Sequence, residues 1–277
     1  MKTLYLPFVK EANSFCERLQ LLQKDISCTV ETDETWGKKI NFQKNYLSKQ
    51  LLHDMSETLV SIFTSFRLLQ FIESIVRESY YFTEDEEIRR ILELSQEIIL
   101  QHDDHGLPVY KQRKLHNLLQ KIFIEQLQQT DSFHYDSIVK FCLTPFKQQL
   151  VDEVGLVIDD FKREEEHQAI VQMIREYIED KYVVYETIHL LHGRNFRFYT
   201  PTGERLTKQQ LRPLMSQTPL YLFGLNLQEW NLAPLIAISP RRIFVYGELS
   251  EAKMLMLMNV FQERVIMKPL QDFPFEQ

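Results

Sequence analysis

The stretch from Ile243 to Met267 constrains this chain more than any other. Ile243-Phe244-Val245-Tyr246 is β-branched and aromatic and lies between Pro240 and Gly247, a run that predicts a buried strand. From Ser250 to Phe261, Met254, Leu255, Leu257, Met258 and Phe261 recur at helical spacing, and Val265-Ile266-Met267 offers a second strand. Strand, twelve-residue helix and strand predict a parallel βαβ unit with a right-handed crossover. The run 243–246, apolar on both faces, is expected to be its interior strand.

Upstream, the periodicity divides the chain into three parts. Residues 1–42 read as strand, helix, strand, strand: Thr3 to Phe8, then Phe15, Leu19 and Leu22 at helical spacing, then an alternating run from Ile26 to Thr32, a turn at Asp33-Glu34 and a strand from Trp36 to Phe42. Residues 43–182 are helical. Leu47, Leu51, Met55, Leu59, Ile62, Phe63 and Phe66 mark a central bundle helix, apolar on more than one face. Thr83 with Glu86 has the form of a capping box, and Asp131-Ser132 that of a cap for a helix ending near Leu143. Thr144-Pro145 starts a helical pattern reaching Asp180, in which the charged run 162–167 reads as a solvated stretch of one long helix or a break between two. Residues 183–277 form a small α/β domain. It comprises a hairpin over 183–199, a second capping box at Thr207 and Gln210, a small strand at Pro219 to Phe223, and the βαβ unit. The fold class is therefore α+β, a long-helix bundle followed by a small α/β domain. The opening strands are expected either to stand alone or to join the C-terminal sheet.

Charge bears on partners. The net charge is −7, which disfavours a general nucleic-acid binder. The acidity belongs to the first two parts, since residues 183–277 carry 10 Lys and Arg against 8 Asp and Glu. Cys16, Cys28 and Cys142 are scattered, without CxxC spacing, and read as reduced thiols of a cytoplasmic protein. Leu59 to Val76 is the most membrane-like stretch, but Arg67, Gln70 and Glu73 interrupt it, so no membrane span is expected.

Chemistry-bearing clusters are few. His102-Asp103-Asp104-His105, with His53-Asp54 upstream, invites comparison with metal phosphohydrolases, but it sits in an apparent loop beside Gly106 and Pro108. Glu164-x-x-His167 has di-metal helix spacing without its companion motifs. Glu186-x-x-His189 repeats the spacing on a strand, where residues three apart face opposite ways. Catalytic, metal and cofactor-binding residues are accordingly read as none, and the chain as a non-enzyme. Arg194-Asn195-Phe196-Arg197-Phe198-Tyr199 interleaves cations and aromatics. Either its aromatics stack bases, or Phe196 and Phe198 face the core while the arginines are solvated. The candidate binding surface is Arg194, Arg197, Tyr199, Arg205, Arg241 and Arg242.

The C-terminal wording resembles one family. Ala237-Ile238-Ser239-Pro240-Arg241-Arg242-Ile243, entered from an apolar helix, is similar to a "LAPxxI" step, and Asn259-Val260-Phe261-Gln262-Glu263-Arg264-Val265 is similar to "NxFGDRV". Both features, with the long helical middle and the polar hairpin at Glu186 to Arg205, resemble the YtxC-like sporulation proteins of endospore-forming Firmicutes. Three departures stand out. Gln262 replaces the family's Gly, Lys268-Pro269-Leu270 replaces a Cys-x-x-Cys-like step, and Pro234 falls inside the apolar helix. The resemblance implies a sporulation setting and no reaction. The expectation is a cytoplasmic protein that binds a protein partner. The alternatives are nucleic-acid binding by the 194–199 hairpin and a metal-dependent hydrolase.

Overall fold

The computed structural model describes residues 3–24, 26–42, 48–102, 108–111, 113–193 and 196–275. The chain divides into two compact units, Met1–Lys162 and Arg163–Gln277. The first contains, in order, β1 (Thr3–Leu6), α1 (Val9–Leu22), β2 (Cys28–Asp33), β3 (Gly37–Phe42), α2 (Lys49–Phe66), α3 (Leu68–Glu78), α4 (Asp85–Ile99), β4 (Leu100–His102), β5 (Pro108–Tyr110), α5 (Arg113–Gln129), β6 (Ser132–His134), α6 (Tyr135–Phe141) and the start of α7 (Thr144–Asp180). The second contains the end of α7, then β7 (Thr187–Leu191), β8 (Arg197–Tyr199), α8 (Lys208–Ser216), α9 (Leu232–Ile238), β9 (Arg242–Tyr246), α10 (Glu251–Phe261) and β10 (Val265–Lys268). The architecture is α+β, as expected.

In the first unit the opening strands do not stand apart, nor do they join the C-terminal sheet. They form a sheet in the order β2-β3-β1-β6, in which β1 runs antiparallel to β3 and parallel to β6. The cause is Ser132-Phe133-His134. Instead of capping a helix, as the sequence suggests, it is a strand that buries Phe133 and pairs with Thr3–Tyr5. The core lies between this sheet and the helices, with Phe63 of α2 packed edge-on against Phe71 and Phe146, both at 5.4 Å.

Two helix boundaries also depart from expectation. The helix expected from 43 to 80 breaks at Arg67, where α2 and α3 meet at 56°. At the start of α4 the capping box is absent. The N-cap is Glu84, without a side-chain bond, because Glu86 is paired with Arg89 and Asp85 with Arg77. No single helix among the described residues is long and apolar enough to cross a membrane.

In the second unit the sheet order is β10-β9-β7-β8. β9 is parallel to β10 across α10 and parallel to β7 on its other side, so it is interior, as the sequence predicts. β8 closes a hairpin with β7. One sheet face, through Ile188, Leu190, Phe198, Ile243 and Val245, packs under α8, α9, α10 and the end of α7. Pro234 sits in the first turn of α9, where its missing N–H costs little. The amides of Asn231, Leu232 and Ala233 donate to the Glu229 carboxylate at 2.6–2.8 Å. Residues 220–223 form a 3-10 turn instead of the expected strand, closed by Gly224 at φ +67. The charged run 162–167 lies exposed on an unbroken α7.

Candidate functional site: a cationic cleft and an apolar edge

The Thr207–Gln210 capping box forms as read. The Thr207 amide donates to Gln210 Oε1 at 2.8 Å, and the Gln210 amide donates to Thr207 Oγ1 at 3.4 Å. This box fixes Lys208 as the first residue of α8. The segment before it runs back along β8, with Tyr199 and Arg205 bridged antiparallel and the Leu206 amide donating to Phe198 O at 2.8 Å. Arg197, Arg205 and Lys208 therefore line one cleft of about 600 Å³, with Trp230 and Phe198 among its walls and no carboxylate among its described lining residues. The Lys208 ammonium stands 4.8 Å from the Trp230 ring centroid, a cation–π contact. The acid next in sequence, Glu204, accepts a bond from Gln210 Nε2 at 3.4 Å.

Of the six residues singled out from the sequence, two meet in this cleft. Arg194 lies outside the described residues. Tyr199 is 4% exposed, buried under Phe273 at 5.1 Å, and offers no surface. Arg241 is exposed and faces Glu186 at 3.7 Å. Arg242 is exposed at the start of β9, and register puts it on the sheet face that carries Arg197 and Tyr199, at the opposite end of the strands. Of the two placements the sequence left open for the hairpin aromatics, Phe196 and Phe198 take the core one. Lys208 and Trp230 were not singled out. The capping box could have found Lys208; nothing in the sequence points to Trp230.

The second surface is the outer side of the βαβ unit. Helix α10 buries Leu257, Val260 and Phe261, yet on its other side Met254, Leu255 and Met258 are 40%, 51% and 42% exposed. Met258 lies one helical turn from both Met254 and Leu255, so the three border one face. Beside α10, β10 is the edge strand and leaves Ile266 and Met267 exposed.

Across the sheet, the face opposite the helices is closed by Phe273 and Phe275 packed over Tyr199, Tyr246 and Leu191. His189 stacks on Phe244 and Tyr246 there, its Nδ1 lying 2.8 Å from the Tyr246 hydroxyl. Burial, reinforced by Lys268, holds this imidazole below its ordinary pKa, and burial with Asp272 raises the Tyr246 phenol.

Among the described residues no group of three or more His, Cys, Asp or Glu is gathered to hold a metal ion. His53 is exposed and shares a hydrogen bond with Gln120, and Glu164 and His167 lie on the exposed run of α7. Asp103 to His105 lie outside the described residues. In the first unit, Tyr5 and His134 border a cleft of about 360 Å³, but His134 is stacked on Tyr5 and meets Trp36 at a tilt, so that aromatic surface is taken up internally.

The comparisons agree with the C-terminal wording. The model of the YtxC-like family matches residues 53–266. The protein described as "Uncharacterized protein YtxC" from Bacillus subtilis (strain 168) is 29% identical over 245 residues, covering 85% of this chain and 84% of that protein. No solved structure matches. With the family model spanning the helical middle, the hairpin and the βαβ unit alike, the chain belongs to the YtxC-like family.

Proposed function

We propose that this protein works by binding a partner protein at the β9–α10–β10 edge, not by catalysis, in the cytoplasm of sporulating cells. The observation that carries the reading is the exposed face of α10. A helix apolar on every side belongs in a core, yet Met254, Leu255 and Met258 stay in contact with water. Methionine-rich helix faces adapt to the shape of a partner. The neighbouring strand β10 adds free backbone donors and acceptors along its open edge, the feature on which an extended segment pairs. The partner's binding segment is accordingly apolar and extended. The cytoplasmic setting is supported by three free thiols, and the sporulation setting is what the resemblance of the C-terminal wording to the YtxC-like sporulation proteins implies.

The test is capture of the tagged full chain from sporulating cells, beside a Leu255→Glu, Met258→Glu variant shown to melt like the parent. The expected result is a captured protein that the variant loses. Identical captured sets from parent and variant would sink the reading.

A further inference from the structure

The cationic cleft beside β8 carries an inference independent of the partner surface. We propose that it binds a phosphate-bearing ligand with a planar base, either a free nucleotide or a nucleotide unit of a single strand. Arg197, Arg205 and Lys208 bring three basic side chains to one cleft that no carboxylate lines among the described residues. No ion pair to an acidic side chain engages any of the three among the described residues. Like charges gathered without counter-ions repel one another, and a polyanion relieves that repulsion. Arginine forks match phosphate oxygens in pairs, while lysine meets them as a point charge.

The indole supplies the planar half. In the free protein Lys208 rests on the Trp230 face. A phosphate within the cleft draws the ammonium off the ring, and the vacated face then accepts a base. Stacking of this kind tolerates any base, since each has a π-face. The cleft volume of about 600 Å³ falls within the range of small-ligand sites. Its position is fixed by the Tyr199–Arg205 bridge on one side and the α8 capping box on the other. The recognising groups thus stand on regular structure.

The chain has two tryptophans, Trp36 and Trp230, so a Trp36→Phe background leaves Trp230 as sole reporter. Its fluorescence would be titrated with adenosine diphosphate, a short single-stranded oligodeoxyadenylate, adenosine and inorganic phosphate, at low and high salt. The expected result is saturable quenching by the diphosphate or the oligonucleotide. Binding should weaken at least tenfold in Arg197→Gln or Lys208→Gln and with added salt, and be unchanged in the Leu255→Glu, Met258→Glu protein. Tighter binding of the diphosphate identifies a free nucleotide, and tighter binding of the oligonucleotide identifies a strand. No saturable change with either overturns the proposal. So does binding that survives loss of the cations, or equal affinity for adenosine or phosphate alone.

Discussion

Arg67 and Glu11, 56 positions apart, form a two-pronged ion pair. Arg67 Nε donates to Glu11 Oε1 at 2.5 Å, and Nη2 donates to Oε2 at 3.3 Å. Glu11 is 2% exposed. The break between α2 and α3 points Arg67 at the first turn of α1, and the guanidinium also covers the Phe8 ring at 4.8 Å. A carboxylate stripped of water depends on this partner. Arg67→Met should destabilise the first unit by about 3–5 kcal/mol, whereas Arg67→Met with Glu11→Met should recover much of the loss. Urea unfolding of the three proteins measures it. A double variant no better than the single one would show that the pair matters for something other than charge compensation.

Val245 is fully buried on the interior strand β9, between β7 and β10. Val245→Asp puts a charge where no cation faces it, at a cost of several kcal/mol. The expected outcome is loss of cooperative melting in the C-terminal unit. Glu248→Ala, at an exposed position just past the strand end, should melt like the parent. A soluble, cooperatively melting Val245→Asp protein contradicts the placement of β9.

His189 sets a pH dependence. Its pKa in the folded chain lies below the ordinary 6.5, through burial first and Lys268 second. The unfolded chain therefore binds the proton more readily. The stabilisation is complete above about pH 6.5 and is lost as the pH falls from there toward the folded value. Thermal melts from pH 7.5 down to pH 5 should show a decline that His189→Gln reduces. Equal declines in parent and variant would assign the effect to other groups.

The thiols of Cys16 and Cys28 face each other within the first unit. Their hydrogen bond, with burial, pushes the Cys16 thiol pKa up, while the same contact lowers that of Cys28. The thiolate is the reactive form, so a brief iodoacetamide pulse at pH 8 should label Cys28 ahead of Cys16. Peptide mass spectrometry reads the order directly. Prior labelling of Cys16 would reverse the assignment.

Much of the C-terminal unit was legible in the sequence. Strand 243–246 announces itself because both its faces are buried, and the crossover helix follows from five apolar side chains at helical spacing. The Thr207–Gln210 box forms because Gln210 Oε1 turns back to accept from both the Thr207 amide and hydroxyl, whereas at Thr83–Glu86 the carboxylate is captured by Arg89 one turn on. The strand at Ser132–His134 was hidden for another reason. Three residues are too few to display a period, and their partner lies at the opposite end of the unit. The cleft was half visible. Its arginines stand in the hairpin, but Trp230 reaches it only through the packing of α8 and α9.

The parallel pairing of β1 with β6 bears on how the protein is made. Thr3 to Tyr5 leave the ribosome well ahead of Ser132 to His134 and must wait for them. At roughly 5–20 residues per second, that interval is on the order of ten seconds. Throughout it β1 carries an unsatisfied edge, the template on which other chains pair.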